Sequence, residues 1–233
     1  MISGKRVIAA MLTALMAVTF TANTAVSVYA TGVTATENAQ TIDAQSTDAQ
    51  ALTPEEQKAQ ELQQVYDMPV ESNGYKDWPQ GPGTYGEAGI VMEVGTGAIL
   101  YAKNIDAHEY PASITKVLTA LVALENGQLT DNVTFSHDSV AFLQRGDSSV
   151  GLKEGNVITL DQAMHAMLLA SANEAAYAIG ESVGVNAGHD YNWFIEQMNS
   201  RCKELGGENS NFANTNGLHD PNHYTSAYDM ALI

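Results

Sequence analysis

Ser113-Ile114-Thr115-Lys116 sets a hydroxyl and an amine three residues apart. On a helix that spacing is close to one turn, so the two side chains share a face and can meet. A serine hydroxyl attacks a carbonyl only when a neighbour accepts its proton, and a lysine can accept it only when burial or nearby positive charge lowers its pKa. The aliphatic residues Val117, Leu118, Leu121 and Val122 beside Lys116 offer such burial. Ser113 follows Pro111-Ala112 where the helix begins, and there the helix dipole and free N–H groups favour an oxyanion on the attacked carbonyl. Ser200-Arg201-Cys202-Lys203 repeats the spacing in a polar stretch beside Glu204, with nothing apolar to desolvate its lysine. Ser171-Ala172-Asn173 is the one S-x-N in the chain and falls where one apolar helical pattern ends and another begins. Both residue types also favour helix caps, but a loop between helices can turn both side chains into a cleft.

Other patterns point less far. His219 and His223 have the H-x-x-x-H spacing of a helical metal site, but Pro221 between them denies the helix and no Glu follows His219 as in a zincin. No metal site is expected. His165 sits in an apolar helical pattern and reads as a packed or partly exposed side chain, while His108, His137 and His189 have no evident partners. Gly146-Asp147-Ser148-Ser149 and Arg145-Gly146-Asp147 echo short lipase and adhesion motifs, and runs that short recur too often to weigh. The chain has no G-x-S-x-G, which argues against an α/β-hydrolase.

The elements that must position these residues follow from periodicity. Ala88–Val94 and Ala98–Lys103, joined by Gly95-Thr96-Gly97, read as a hairpin. After Pro111 the apolar residues Ile114, Val117, Leu118, Leu121 and Val122 fall at helical spacing, with Gly127 as the stop. A second helix starts at Thr159, with Gln162 placed for a capping box, and ends near Ser171. A third covers about 174–183 and a fourth about 191–205, closed by Gly206-Gly207. Strands followed by helices suggest an α+β fold.

Composition limits the partners and the compartment. The 233 residues hold 10 Lys+Arg against 27 Asp+Glu, a formal net charge of -17. Such a chain repels phosphate backbones and anionic lipid, which bind through clustered Lys and Arg, so nucleic acid is excluded as a partner. Cys202 is the only cysteine, so neither an internal disulfide nor a Cys-rich zinc site can form. Lys5 and Arg6, the apolar run Val7–Phe20 and the small residues around Val28-Tyr29-Ala30 read as a signal peptide over 1–30. The run is shorter than the roughly 20 residues needed to span a bilayer. The protein is therefore expected outside the cytoplasm, in the cell envelope, periplasm or wall. Residues 31–73 read as a low-complexity linker, in which Pro54-Glu55-Glu56 could open a short helix through Leu62. One globular region remains, 74–233.

Ser113-Ile114-Thr115-Lys116, Ser171-Ala172-Asn173 and the run from Asn216-Gly217-Leu218-His219 to Tyr224-Thr225-Ser226-Ala227-Tyr228-Asp229-Met230-Ala231 together resemble the serine-type D-alanyl-D-alanine carboxypeptidases, the low-molecular-weight penicillin-binding proteins. The resemblance covers about 86–233 and combines two of the motifs that mark this wider group. It implies a β-lactamase/transpeptidase-like fold, an antiparallel sheet with flanking helices and a helical lobe. By the same resemblance Ser113 would form the acyl-enzyme, Lys116 would accept its proton, and Ser171 would relay a proton toward the leaving amine. Asn173 would bind the substrate amide and help to hold Lys116. The implied reaction removes the terminal D-alanine of a peptidoglycan stem peptide, with β-lactams as inhibitors and without metal or cofactor.

Two departures bear on this expectation. The family's third motif, K-T-G or a close variant, does not occur, and the sequence stops in apolar Ala231-Leu232-Ile233. A partial catalytic domain over 74–233, incomplete at its C-terminus and inactive by itself, is the expectation; membrane attachment is undetermined. The alternatives are a D,D-endopeptidase or transpeptidase, a β-lactamase, and a catalytically incomplete wall-binding fragment. The β-lactamase reading lacks the S-D-N triplet and the Glu-x-x-Leu-Asn loop. The fragment rests on the missing third motif.

Overall fold

The computed structural model describes residues 52–233. The expected signal peptide and the linker up to residue 51 lie outside the described residues. The part of the expected linker that is described carries regular structure: α1 spans Pro54–Tyr66, and a single 3₁₀ turn spans Glu71–Gly74. Thr53 and Glu56 close a capping box on α1, each side chain bonding the other's backbone N–H, which is why so polar a segment forms a helix extending beyond Leu62. No residue of α1 is buried. Its last turn is nevertheless tied down, because the buried Lys103 ammonium donates to the carbonyls of Val65, Thr84 and Gly86 at 2.6, 2.7 and 2.8 Å.

The expected hairpin forms with shorter strands, β1 over Gly89–Met92 and β2 over Ile99–Lys103. The pair is antiparallel, and a bulge between Val91 and Met92 shifts its register. Glu93 bonds through its backbone to Gly97 and Ala98, and its carboxylate accepts the N–H groups of Gly95 and Thr96, which closes the turn. A second antiparallel pair, β3 over Asn132–Thr134 and β4 over Val157–Thr159, brackets a short helix, α3, over His137–Ala141. Three-residue strands are too short to show a period, and none of these three elements was expected from the pattern.

The expected helices form the core. α2 spans Thr115–Asn126, α4 Leu160–Leu169, α5 Asn173–Asn186 and α6 Tyr191–Glu204. The Thr159–Gln162 capping box that starts α4 is present in both directions. α5 lies in the middle, packed by α2, α3, α4, α6 and β3. Its Ala175, Ala176 and Ala178 are small, which lets the neighbouring helices approach closely, and with Ile179 they join Leu118, Met167, Phe194 and Met198 in one buried cluster. The last helix, α7 over Ala227–Leu232, is capped by Ser226. Its buried Asp229 accepts the N–H groups of Glu208 and Asn209 and the hydroxyl of Ser210, fastening the loop after α6. Thr225 pairs through its backbone with Glu109 at 2.7 and 2.9 Å, which brings the 216–226 segment against the approach to Ser113. Among the described residues no helix is long and apolar enough to cross a membrane.

Candidate active site

Ser113 lies in a 3₁₀ turn, Ala112–Ile114, that runs directly into α2. The turn is entered through Ala112, whose φ of 48° lies in the left-handed region that alanine avoids. Gly217 packs against it. With its own φ at 85° and its Cα pressed on the Ala112 backbone, a Cβ at Gly217 would overlap the Ala112 carbonyl. Ser171 repeats the device at the end of α4, where a φ of 56° replaces the glycine that usually ends a helix. Strain at Ala112, directly before Ser113, and at Ser171, whose hydroxyl bonds Ser113, is the pattern that a site imposes on its backbone.

The two turns bring the expected residues together. Ser171 Oγ donates to Ser113 Oγ at 2.9 Å, and Lys116 Nζ reaches the same oxygen at 3.2 Å. Lys116 Nζ also donates to Asn173 Oδ1 at 2.8 Å and to the Asn216 carbonyl at 2.7 Å. An ammonium has three protons, and these three acceptors use all of them. Lys116 is 2% exposed. Burial lowers its pKa from 10.5 to about 8, with the charge of Glu174 pulling the other way. At pH 7 roughly a tenth of such lysines would be neutral. The neutral amine has a lone pair where the third proton had been, and that lone pair faces the Ser113 hydroxyl.

Ser113 opens onto a cleft of about 350 Å³. Tyr110, His219 and Gly217 line one side, and Gly146, Asp147 and Ser148 line another. Sequence reasoning set aside the Gly146–Ser148 run as a chance motif; its part in the site comes from Asn173, whose backbone N–H holds the Ser148 carbonyl at 2.9 Å. Asn216 was named only as the start of the resembling run and Glu174 only as a helix start, neither with a role in the site. An acid directly after S-x-N, at the start of an apolar helix, was the available signal for Glu174, whereas Asn216 acts through a carbonyl that no side-chain pattern can reveal.

His219 and His223 do not form a metal site. His223 is buried, and both ring nitrogens are engaged: Nδ1 accepts the Ala213 N–H at 3.0 Å, which leaves Nε2–H to donate to Thr115 Oγ1 at 2.8 Å. No lone pair remains for a cation. His219 instead meets the Tyr110 ring edge-on at 4.7 Å. Among the described residues no three His, Cys, Asp or Glu side chains gather as metal ligands. His165 is exposed, His137 faces Glu154, and His108 and His189 stack on Tyr224 and Trp193.

The sequence profile of the D-alanyl-D-alanine carboxypeptidase family matches residues 79–233. The D-alanyl-D-alanine carboxypeptidase DacF of Bacillus subtilis is 34% identical over 152 residues, 63% of this chain and 37% of its own length. DacA of Haemophilus influenzae is 34% identical over 149 residues, 62% of this chain and again 37% of its own. The chain thus spans little more than a third of these curated relatives. Among solved structures, penicillin binding protein 5 from Haemophilus influenzae superposes with a TM-score of 0.59 at 32% identity, over 66% of this chain and 45% of that one. DacD from Francisella tularensis gives 0.56 at 31%, over 69% and 36%. The α+β arrangement of helical lobe and antiparallel pairs is the fold of these proteins.

Proposed function

Because the chain belongs to the D-alanyl-D-alanine carboxypeptidase family, we propose that the whole protein is a serine-type D-Ala-D-Ala carboxypeptidase that trims peptidoglycan stem peptides through an acyl-enzyme on Ser113. The observation that carries this reading is Ser113 Oγ held between Lys116 Nζ and Ser171 Oγ at the floor of an open cleft. In the first half-reaction Lys116 takes the Ser113 proton as Oγ bonds to the carbonyl carbon of the penultimate D-alanine. The C–N bond then breaks. The amine of the departing D-alanine receives that proton from Lys116 through the Ser171 hydroxyl, which bridges toward the cleft. Asn173 keeps Lys116 aligned and binds the substrate amide. In the second half-reaction water, deprotonated by Lys116, attacks the ester, and Ser113 Oγ regains its proton. Every step is a proton transfer or an acyl transfer, and the side chains named supply all of them.

The same chemistry makes the protein a β-lactam target, since a β-lactam carbonyl acylates the same oxygen and leaves no free amine to depart. Export to the cell envelope belongs to this reading, because the substrate lies outside the cytoplasm. The domain reading goes with it: a signal peptide over 1–30, a linker over 31–73 and a catalytic region over 74–233. Intact-protein mass spectrometry of the full-length protein with benzylpenicillin tests the site. One penicilloyl adduct, mapped to Ser113 and lost in S113A, is the expected result; no adduct, or an adduct that survives S113A, overturns the assignment. Release of D-alanine from a D-Ala-D-Ala pentapeptide, against cleavage of cross-linked dimers, separates the carboxypeptidase from an endopeptidase.

A further inference from the structure

Glu174 is the first-turn acid of α5, is 0% exposed, and touches none of the reacting groups, although its charge pulls the Lys116 pKa up. Among the described residues no cation forms an ion pair with it. Its Oε1 instead accepts three donors from one loop: Ser149 Oγ at 2.7 Å, the Val150 N–H at 2.8 Å and the Gly151 N–H at 3.1 Å. Oε2 is buried with no hydrogen-bond partner among the described residues. Burying a carboxylate is costly, and the α5 dipole with three charge-assisted hydrogen bonds offsets only part of that cost. A glutamate serving only to fill space could be replaced by a neutral residue of the same size.

The loop that it holds is the outer wall of the cleft. Gly146, Asp147 and Ser148 face Ser113 across the opening, and 149–151 are the residues on Glu174. One step of chain therefore does two things. Asn173 fixes Lys116 through its side chain and Ser148 through its backbone, and Glu174 fixes the next three loop residues. The wall is tied to the same helix end that sets the lysine. Gly146 and Gly151, at φ of 105° and 79°, leave the loop little backbone preference of its own for this shape.

We propose that Glu174 is a positioning residue that docks the 146–151 wall onto the start of α5 and so sets the width of the substrate cleft facing Ser113. Its hydrogen bonds act on the seating of the stem peptide, while its charge reaches proton transfer only by pulling the Lys116 pKa up. This rests on the acyl-enzyme reading for its meaning in catalysis, but the docking itself does not.

Two measurements on the full-length protein separate those levels. Backbone hydrogen exchange on E174A should release the Val150 and Gly151 amides by about tenfold or more, while core amides of α5 and α6 keep their protection. E174Q keeps an acceptor at Oε1 and should restore protection in part. In kinetics at pH 9.5, where Lys116 with its pKa of about 8 is mostly neutral with or without the Glu174 charge, E174A should raise KM for a D-Ala-D-Ala peptide about tenfold and change the maximal rate of Ser113 acylation less than about threefold, counted per labelled site. Should E174A not fold, E174D, one methylene short of the loop amides, carries the same expectations. Val150 and Gly151 amides that exchange freely in the unmodified protein, or that stay protected in the variants, overturn the docking. An acylation rate that falls with KM unchanged overturns the assignment to the wall. A protein that never labels at Ser113 but shows the exchange effect overturns the acyl-enzyme reading and leaves the docking standing.

Discussion

Ser113-x-x-Lys116 and Ser200-x-x-Lys203 have the same residues at the same spacing, and the fold treats them in opposite ways. The first enters α2 at its N-terminal end, where Lys116 is 2% exposed and surrounded by acceptors from Asn173 and Asn216. The second occupies the last turns of α6, with Ser200 and Lys203 both exposed. A helix N-terminus disfavours an ammonium and favours an oxyanion; a C-terminus does the reverse. At the first position burial, with the dipole, pushes the lysine toward its neutral form, whereas at the second the lysine is exposed in the last turn of a helix. Spacing permits the encounter of hydroxyl and amine. The end of the helix on which it falls, and what covers it, decide whether the pair is a nucleophile with a base or a solvated surface turn.

The largest difference between the two sites should come from their lysines. K116A should slow acylation of Ser113 by benzylpenicillin by about 10²–10⁴, the range for loss of a general base, whereas K203A should leave it within about twofold. Stopped-flow acylation of the two variants checks this directly. The pH dependence has a definite sign: only neutral Lys116 accepts the proton, so the rate rises with pH to a midpoint near the lysine's pKa of about 8. K203A should keep that limb. A K203A defect as deep as that of K116A, or a rate that falls between pH 6 and 8, would break the comparison.

The glycines beside the two motifs sharpen it. Gly217 has φ of 85°, and a Cβ there would overlap the Ala112 carbonyl; the turn carrying Ser113 would have to move. A shift of about 1 Å at a reacting group can cost 10²-fold in rate, so G217A should lose most acylation while keeping its helical signal. Gly206 has φ of 99°, but the nearest atom to a Cβ is Leu232 Cδ1 at 3.6 Å. G206A should show only the backbone cost of about 1–2 kcal/mol, read as a lower midpoint in urea, with acylation intact per folded molecule.

What was legible in the sequence divides along the same line. The bodies of α2, α4, α5 and α6 read correctly because burial on a helix leaves a period, and Thr159 with Gln162 marked a helix start to the residue. The four candidate site residues Ser113, Lys116, Ser171 and Asn173 were named because their types are unusual in combination. Their second neighbours were not. Lys116 meets Asn216 across 100 residues, and Thr115 meets His223 across 108; no window of the chain contains both partners. The strained turns at Ala112 and Ser171 were hidden for a different reason. Alanine and serine ordinarily avoid positive φ, so residue type argued against what tertiary packing imposes. The H-x-x-x-H spacing and the Gly-Asp-Ser-Ser run show the converse, since each looked like a motif by spacing and took its actual role from what packs beside it.

The third residue of each tetrapeptide gives the smallest effect and the finest test. Thr115 and Cys202 are both buried, but Thr115 accepts a hydrogen bond from the neutral His223 ring, while the Cys202 thiol lies at the edge of the apolar core beside Ser210 and Asp229. Burial lowers the His223 pKa from 6.5 to about 4, against the pull of Asp220. The unfolded chain therefore takes up a proton below pH 6.5 that the folded chain refuses until about pH 4. Folding should lose stability as pH falls through that window, and none of this loss should occur above it. H223Q cannot titrate, so its stability should fall less steeply between pH 6.5 and 4 even if its value at pH 7 is lower. C202A should leave that slope unchanged, because burial pushes its thiol pKa up and away from the window. Urea unfolding at a series of pH values reads both slopes. If H223Q kept the steep slope, the ring would already be charged in the fold, its Nδ1 could not accept the Ala213 N–H, and the contact that fixes the turn after Ser113 would have to be drawn another way.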